Sequence, residues 1–102
     1  MRIVALVRIE GMTKNVYEQI MQNMNLADNP PKGMVTHIST FDSKGIRVTD
    51  VWESESDFRT FGDKRLMLAL QKIGFKERPV IEIYPLHTLI DERQLSKQTA
   101  TR

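Results

Sequence analysis

The chain of 102 residues contains no cysteine. That excludes disulfides and thiolate metal sites, and it suits a reducing compartment. Histidine occurs only at 37 and 87, with no ligand spacing that joins either to carboxylates, so no metal or cofactor site is expected. The glycines at 11, 33, 45, 62 and 74 are scattered, and none opens a phosphate-binding loop. Neither a serine elbow nor an HExxH motif is present. No apolar run approaches the roughly 18 residues of a membrane span. The opening MRIVALVRIEGM is broken by Arg8 and Glu10 and is followed by no small-residue cleavage site, so it reads as a strand rather than a leader. An excess of one charge is missing too: 15 Lys and Arg stand against 13 Asp and Glu, for a net +2. The cations are dispersed among acids, whereas a nucleic-acid groove needs clustered cations with stacking aromatics. A cytoplasmic protein that binds neither nucleic acid nor membrane is expected.

Enough apolar sequence is present for one core. Hydrophobic residues make up 40% and charged residues 27%, as in a folded single domain. RIVALVRIE (2–10) is almost continuously apolar and β-branched, which predicts a central strand. Thr13 is a plausible N-cap, and Val16, Tyr17, Ile20, Met21 and Met24 recur at helical spacing. This helix should stop before NLADNPPKG, since Pro30 and Pro31 cannot continue it. MVTHISTF (34–41) and IRVTDVWE (46–53) flank the turn cluster DSKG and predict a hairpin. Ser54 begins a capping-box-like Ser-Glu-Ser-Asp, ahead of a second helix that buries Phe58, Phe61, Leu66, Ala69, Leu70 and Ile73 and ends near Lys72 and Gly74. PVIEIYPL supplies the fourth strand. From about Asp91 the periodicity disappears, so one domain over 1–90 and a mobile tail over 91–102 are expected.

The order β-α-β-β-α-β predicts a ferredoxin-like α+β fold, a four-stranded antiparallel sheet with both helices on one face. The first strand is apolar on both sides, and Val51 alternates away from the helix-facing row. A bare apolar sheet face usually marks an interface, so a sheet-to-sheet homodimer is expected.

Asp50 poses the functional question. Alternation puts it on the same side as Ile46, Val48 and Trp52, the chain's only tryptophan. With Asp42 to Gly45 as the hairpin turn, Phe41 faces Ile46, Ser39 faces Val48, His37 faces Asp50, and Val35 faces Trp52. His37 and Asp50 can then touch, with Trp52 beside them and Tyr17 of the first helix pointing into the same space. A carboxylate-oriented imidazole is a general base. The same pair is also a way to satisfy two polar groups beneath a helix. His37 and Asp50 are the candidate catalytic residues, and Trp52 and Tyr17 the candidate ligand-binding residues. The methionines read as gap-fillers in the core. His87, after Pro85, is expected to be exposed or bonded across an interface.

The stretch VTDVWESESDFRTF (48–61) and the opening phrase ALVRIEGMT resemble the dimeric α/β-barrel superfamily, which includes antibiotic-biosynthesis-monooxygenase-like proteins. The resemblance runs from residue 2 to about 90. It implies a ferredoxin-like protomer, a homodimer joined through its sheets, and a cavity between sheet and helices that takes a small apolar or aromatic ligand. Cofactor-free monooxygenase-like activity on quinol-type molecules comes with that resemblance. The alternative, in which His37 and Asp50 are structural, is a non-catalytic dimeric structural or stress-response module. Haem-degrading members carry an Asn on the first strand, a Trp on the third and a His on the second helix. Trp52 fits, but residues 2–10 contain no Asn and 55–73 no His, so haem degradation is not expected.

Overall fold

The computed structural model describes residues 1–95. Its elements run β1 (Ile3–Glu10), α1 (Lys14–Met24), β2 (Met34–Asp42), β3 (Gly45–Trp52), α2 (Glu55–Phe61), a π-helical segment (Gly62–Leu66), α3 (Met67–Lys72) and β4 (Val80–Pro85). All strand pairs are antiparallel and the sheet order is β2-β3-β1-β4. This is the ferredoxin-like arrangement that the sequence predicts, with β1 in the interior of the sheet. No helix among the described residues is long and apolar enough to cross a membrane.

The local signals act as their chemistry dictates. Thr13 Oγ1 accepts from the Val16 amide at 3.2 Å, and Ser54 Oγ accepts from the Asp57 amide at 3.0 Å, each satisfying an otherwise orphaned donor. Asn25 closes α1 in the left-handed region, at φ 50°. Gly74, at φ 75°, closes α3: its amide bonds to Gln71 O and that of Phe75 to Leu70 O, both at 3.0 Å. That pair of bonds is a Schellman ending.

The second helix differs from its expected single run. Between α2 and α3 the Met67 amide reaches back to Gly62 O, five residues earlier. The backbone stays right-handed helical at both junctions, so α2, the π segment and α3 form one rod with a wide turn. Arg65, in that turn, donates to the Met24 carbonyl at 2.6 Å and ties the rod to the end of α1.

The core lies between the helices and one sheet face. Ile3, Ala5, Val7 and Ile9 of β1 point into it with Ile46 and Trp52 of β3, Ile20 of α1, and Phe58, Phe61 and Leu70 of the helical rod. The opposite sheet face carries Val4, Leu6, Val51, Ile38 and Tyr84, flanked by Arg8, Arg47 and Glu82. Within the protomer, β1 is thus buried on one face only, and Ile38 and Tyr84 are 54% and 50% exposed. Beyond β4, residues 92–95 form a helical turn begun at Asp91, whose side chain accepts from the Arg93 amide at 2.9 Å. Residues 96–102, which fall in the expected tail, lie outside the described residues.

Candidate functional site

The hairpin register is the foundation of the site. Asp42 Oδ1 accepts from the amides of Lys44 at 2.8 Å and Gly45 at 3.1 Å, while Oδ2 accepts from Arg47 Nε at 2.6 Å. The Arg47 bond first, then the backbone bonds, lower the Asp42 pKa from 3.8 to about 2. Gly45 is obligatory here, because a Cβ would collide with the Ile9 carbonyl. This two-residue turn pairs Phe41 with Ile46, Ser39 with Val48, and His37 with Asp50. The predicted pairing of Val35 with Trp52 does not occur. A bulge between Met34 and Thr36 makes Met34 the partner of Trp52. Because it lies upstream of His37, the bulge leaves the central pairing intact.

Four side chains form one hydrogen-bonded series. His37 Nδ1 lies 2.7 Å from Asp50 Oδ1, and His37 Nε2 lies 2.8 Å from Tyr17 Oη. Trp52 Nε1 donates to the other carboxylate oxygen, Oδ2, at 3.2 Å. A carboxylate only accepts, so Nδ1 of a neutral imidazole carries the proton and Nε2 accepts from the Tyr17 hydroxyl. Asp50 is 3% exposed and Trp52 0%, whereas the His37 side chain keeps 22% of its surface. Burial of a carboxylate is tolerated because both oxygens are bonded.

Each member is placed by its own element. The Thr13 carbonyl accepts from the Tyr17 amide at 3.0 Å, so the capped first turn of α1 sets the phenol over the sheet. Ala5 pairs with Asp50 from β1, and its small side chain leaves room for the carboxylate and the indole. Trp52 stands two residues from Asp50 on the same strand face, about 7 Å along the chain, a distance an indole spans. Phe58 and Phe61 hold its ring, with centroids 5.8 and 5.2 Å away. Phe41 meets the edge of Tyr17 at 5.8 Å.

The series borders a cavity of about 50 Å³ between sheet and helices. Ile9, Ile20, Ile46, Phe58 and Phe61 form its buried floor, and Tyr17, Met21, His37 and Val48 its half-buried rim. Trp52, expected against a ligand, is not among the residues lining this cavity; it serves Asp50 instead. That role follows from the two-residue spacing on one strand face, which the sequence already displays. Larger hollows of about 600 and 490 Å³ flank Lys64 and Arg65 on the outer surface, but none of the four bonded residues lines them. His87 is exposed beyond β4. Among the described residues no group of three or more His, Asp or Glu side chains could hold a metal ion.

Neither a protein-family model nor a curated protein matches the chain. Solved structures do match. A Nitrosomonas europaea protein of unknown function, NE2512, superposes with a TM-score of 0.67 at 19% identity, covering 87% of this chain and 92% of that one. SnoaB, a cofactor-independent oxygenase from Streptomyces nogalater, gives 0.62 at 11% identity, covering 87% and 96%. A dimeric ferredoxin-like protein of unknown function from Thermobifida fusca gives 0.59 at 18%, covering 84% and 92%. Others of the same shape are described as antibiotic biosynthesis monooxygenases. The chain therefore has the ferredoxin-like fold of these structures, which are the kinds of protein that its own phrases ALVRIEGMT and VTDVWESESDFRTF resemble.

Proposed function

We propose that the chain works as a homodimer in which each subunit binds a small phenolic molecule at the rim formed by Tyr17 and His37 and removes its proton. The observation that carries this reading is the bonded series Tyr17–His37–Asp50–Trp52 at the edge of an apolar cavity. A substrate hydroxyl donates to Tyr17 Oη while the tyrosine proton moves to His37 Nε2. The resulting imidazolium is held by Asp50, whose orientation Trp52 fixes. A deprotonated quinol is electron-rich and primed for dioxygen with no cofactor, and the fold is shared with SnoaB, a cofactor-independent oxygenase. Fold alone confers no reaction, so the reading rests on the series rather than on the likeness. The apolar open face of the sheet and the dimeric Thermobifida neighbour support self-association through that face.

One observation favours a second reading, a non-catalytic dimeric module. At about 50 Å³ the cavity is smaller than the roughly 300–1,000 Å³ of ordinary ligand pockets. A phenol must therefore sit at the rim, with the unbranched chain of Met21 yielding to it. The deciding experiment uses 1,4-naphthohydroquinone as probe, with binding followed by amide shifts and turnover by oxygen uptake. The catalytic reading expects shifts at Tyr17, His37 and Val48, and uptake that His37→Ala abolishes in a folded dimer. Absence of both in the wild type, with His37→Ala altering only the melting temperature, establishes the module instead.

A further inference from the structure

The cavity beside His37 combines small size with an apolar lining. Its volume of about 50 Å³ is well below the roughly 150 Å³ of an apolar cavity that admits benzene. An aromatic ring does not fit inside. Water fits by size but not by chemistry, since a buried water needs about two to four polar partners. The lining includes three polar side chains, Tyr17, His37 and Asp50, which bond to one another and to Trp52 and turn almost no polar surface into the cavity. Every other wall is Val, Ile, Leu, Met or Phe. Apolar walls of this kind leave dispersion contacts unmade, and a small apolar guest restores them.

We propose that this chamber is a binding site for dioxygen. The site lies next to the imidazole and beneath the rim where a phenol would be deprotonated, so the proposal deepens the oxygenase-like reading by placing the second reactant. Occupancy by the gas requires only the cavity and not the phenol. Entry runs past the half-buried Met21 and Val48 rather than through the packed floor.

Methyl-labelled protein under oxygen pressure provides the test, because dioxygen is paramagnetic and speeds relaxation of the methyls nearest to it. Ile9, Ile20, Ile46 and Met21 line the chamber, while Ile3 and Leu70 are buried elsewhere in the core, 7% and 1% exposed. Relaxation at the first set should exceed that at Ile3 and Leu70 severalfold. Diamagnetic xenon should shift the same methyls, and Ile20→Phe, which fills the chamber, should remove the difference. Should that variant not fold, Val48→Leu narrows the rim and should reduce it. Equal enhancement at Ile20 and Leu70, or a water cross-peak to the Ile20 methyls, overturns the proposal. Gas occupancy without naphthohydroquinone binding upholds the chamber and removes only the phenol reading. Naphthohydroquinone binding without preferential gas occupancy removes the chamber alone.

Discussion

Replacing Asp50 with asparagine should preserve the fold yet invert the histidine. Asp50 accepts from Trp52 through one oxygen and from His37 through the other. Asparagine keeps the shape but offers one acceptor and one donor group. Its oxygen can still accept from Trp52 Nε1, leaving its amide to face His37 Nδ1. The imidazole satisfies that donor by moving its proton to Nε2, which then donates to Tyr17 Oη. Each of the four side chains keeps a partner, and the Tyr17 hydroxyl proton turns toward the half-buried rim, so the main loss is charge assistance, about 1 kcal/mol. Alanine behaves differently. It leaves the indole N–H buried without an acceptor, about 1–3 kcal/mol, and strips His37 of a further bond worth about 0.5–1.5 kcal/mol. At about 4–8 °C per kcal/mol for a domain of this size, Asp50→Ala should lower Tm by 10 °C or more and Asp50→Asn by only several degrees. Imidazole ¹⁵N spectra should report Nδ1–H in the wild type and Nε2–H in Asp50→Asn, and the latter should not deprotonate a phenol. An asparagine variant that retains Nδ1–H, or melts as early as the alanine variant, would refute the bonding scheme.

Three further outcomes follow from other parts of the molecule. The lowered pKa of Asp42 means that its carboxylate stabilises the hairpin fully above 3.8 and loses that effect as the pH falls through about 2; Arg47→Gln should move its ¹³C-monitored titration back toward 3.8. Gly45→Ala should cost more than about 1 kcal/mol in chemical denaturation, since the new Cβ meets the Ile9 backbone. Leu6→Arg places a charge in the middle of the open sheet face and should turn a dimer into a monomer in sedimentation velocity; an unchanged sedimentation coefficient would show that this face is not the interface.

The fold was legible because its signals are local and mutually consistent. Thr13 and Ser54 cap helices where their hydroxyls fall just before apolar stripes, and Asp42 to Gly45 dictates a turn whose register carries His37 to Asp50. What escaped depends on three-dimensional crowding. The bulge at Val35 has no turn residue to announce it, since Met34, Val35 and Thr36 all suit a regular strand. The π turn did leave a mark, since the apolar stripe steps five residues from Phe61 to Leu66 with Lys64 and Arg65 at the positions a regular helix would bury, but one such step reads equally as a gap in the stripe. Trp52, a ligand-binding candidate from the sequence, is fully buried in the core. Its N–H determines its partner, for a buried indole donor must find an acceptor, and Asp50 is the acceptor within reach. The volume of the cavity was invisible in the sequence, as it depends on how Met21, Ile20 and Phe61 share the space above β3.

His37 and Asp50, 13 positions apart, lie within a single hairpin, whereas Tyr17 arrives from a separate helix. Closing so short a loop is entropically cheap, so the imidazole and carboxylate can meet as soon as the two strands zip together. The phenol joins only once α1 docks. That order makes Tyr17 the last member of the series to arrive, because its hydroxyl reaches Nε2 only when the capped first turn of α1 is in place. In the proposed relay the proton passes through that hydroxyl, so loosening the cap at residue 13 would break the relay while leaving the imidazole and the carboxylate untouched.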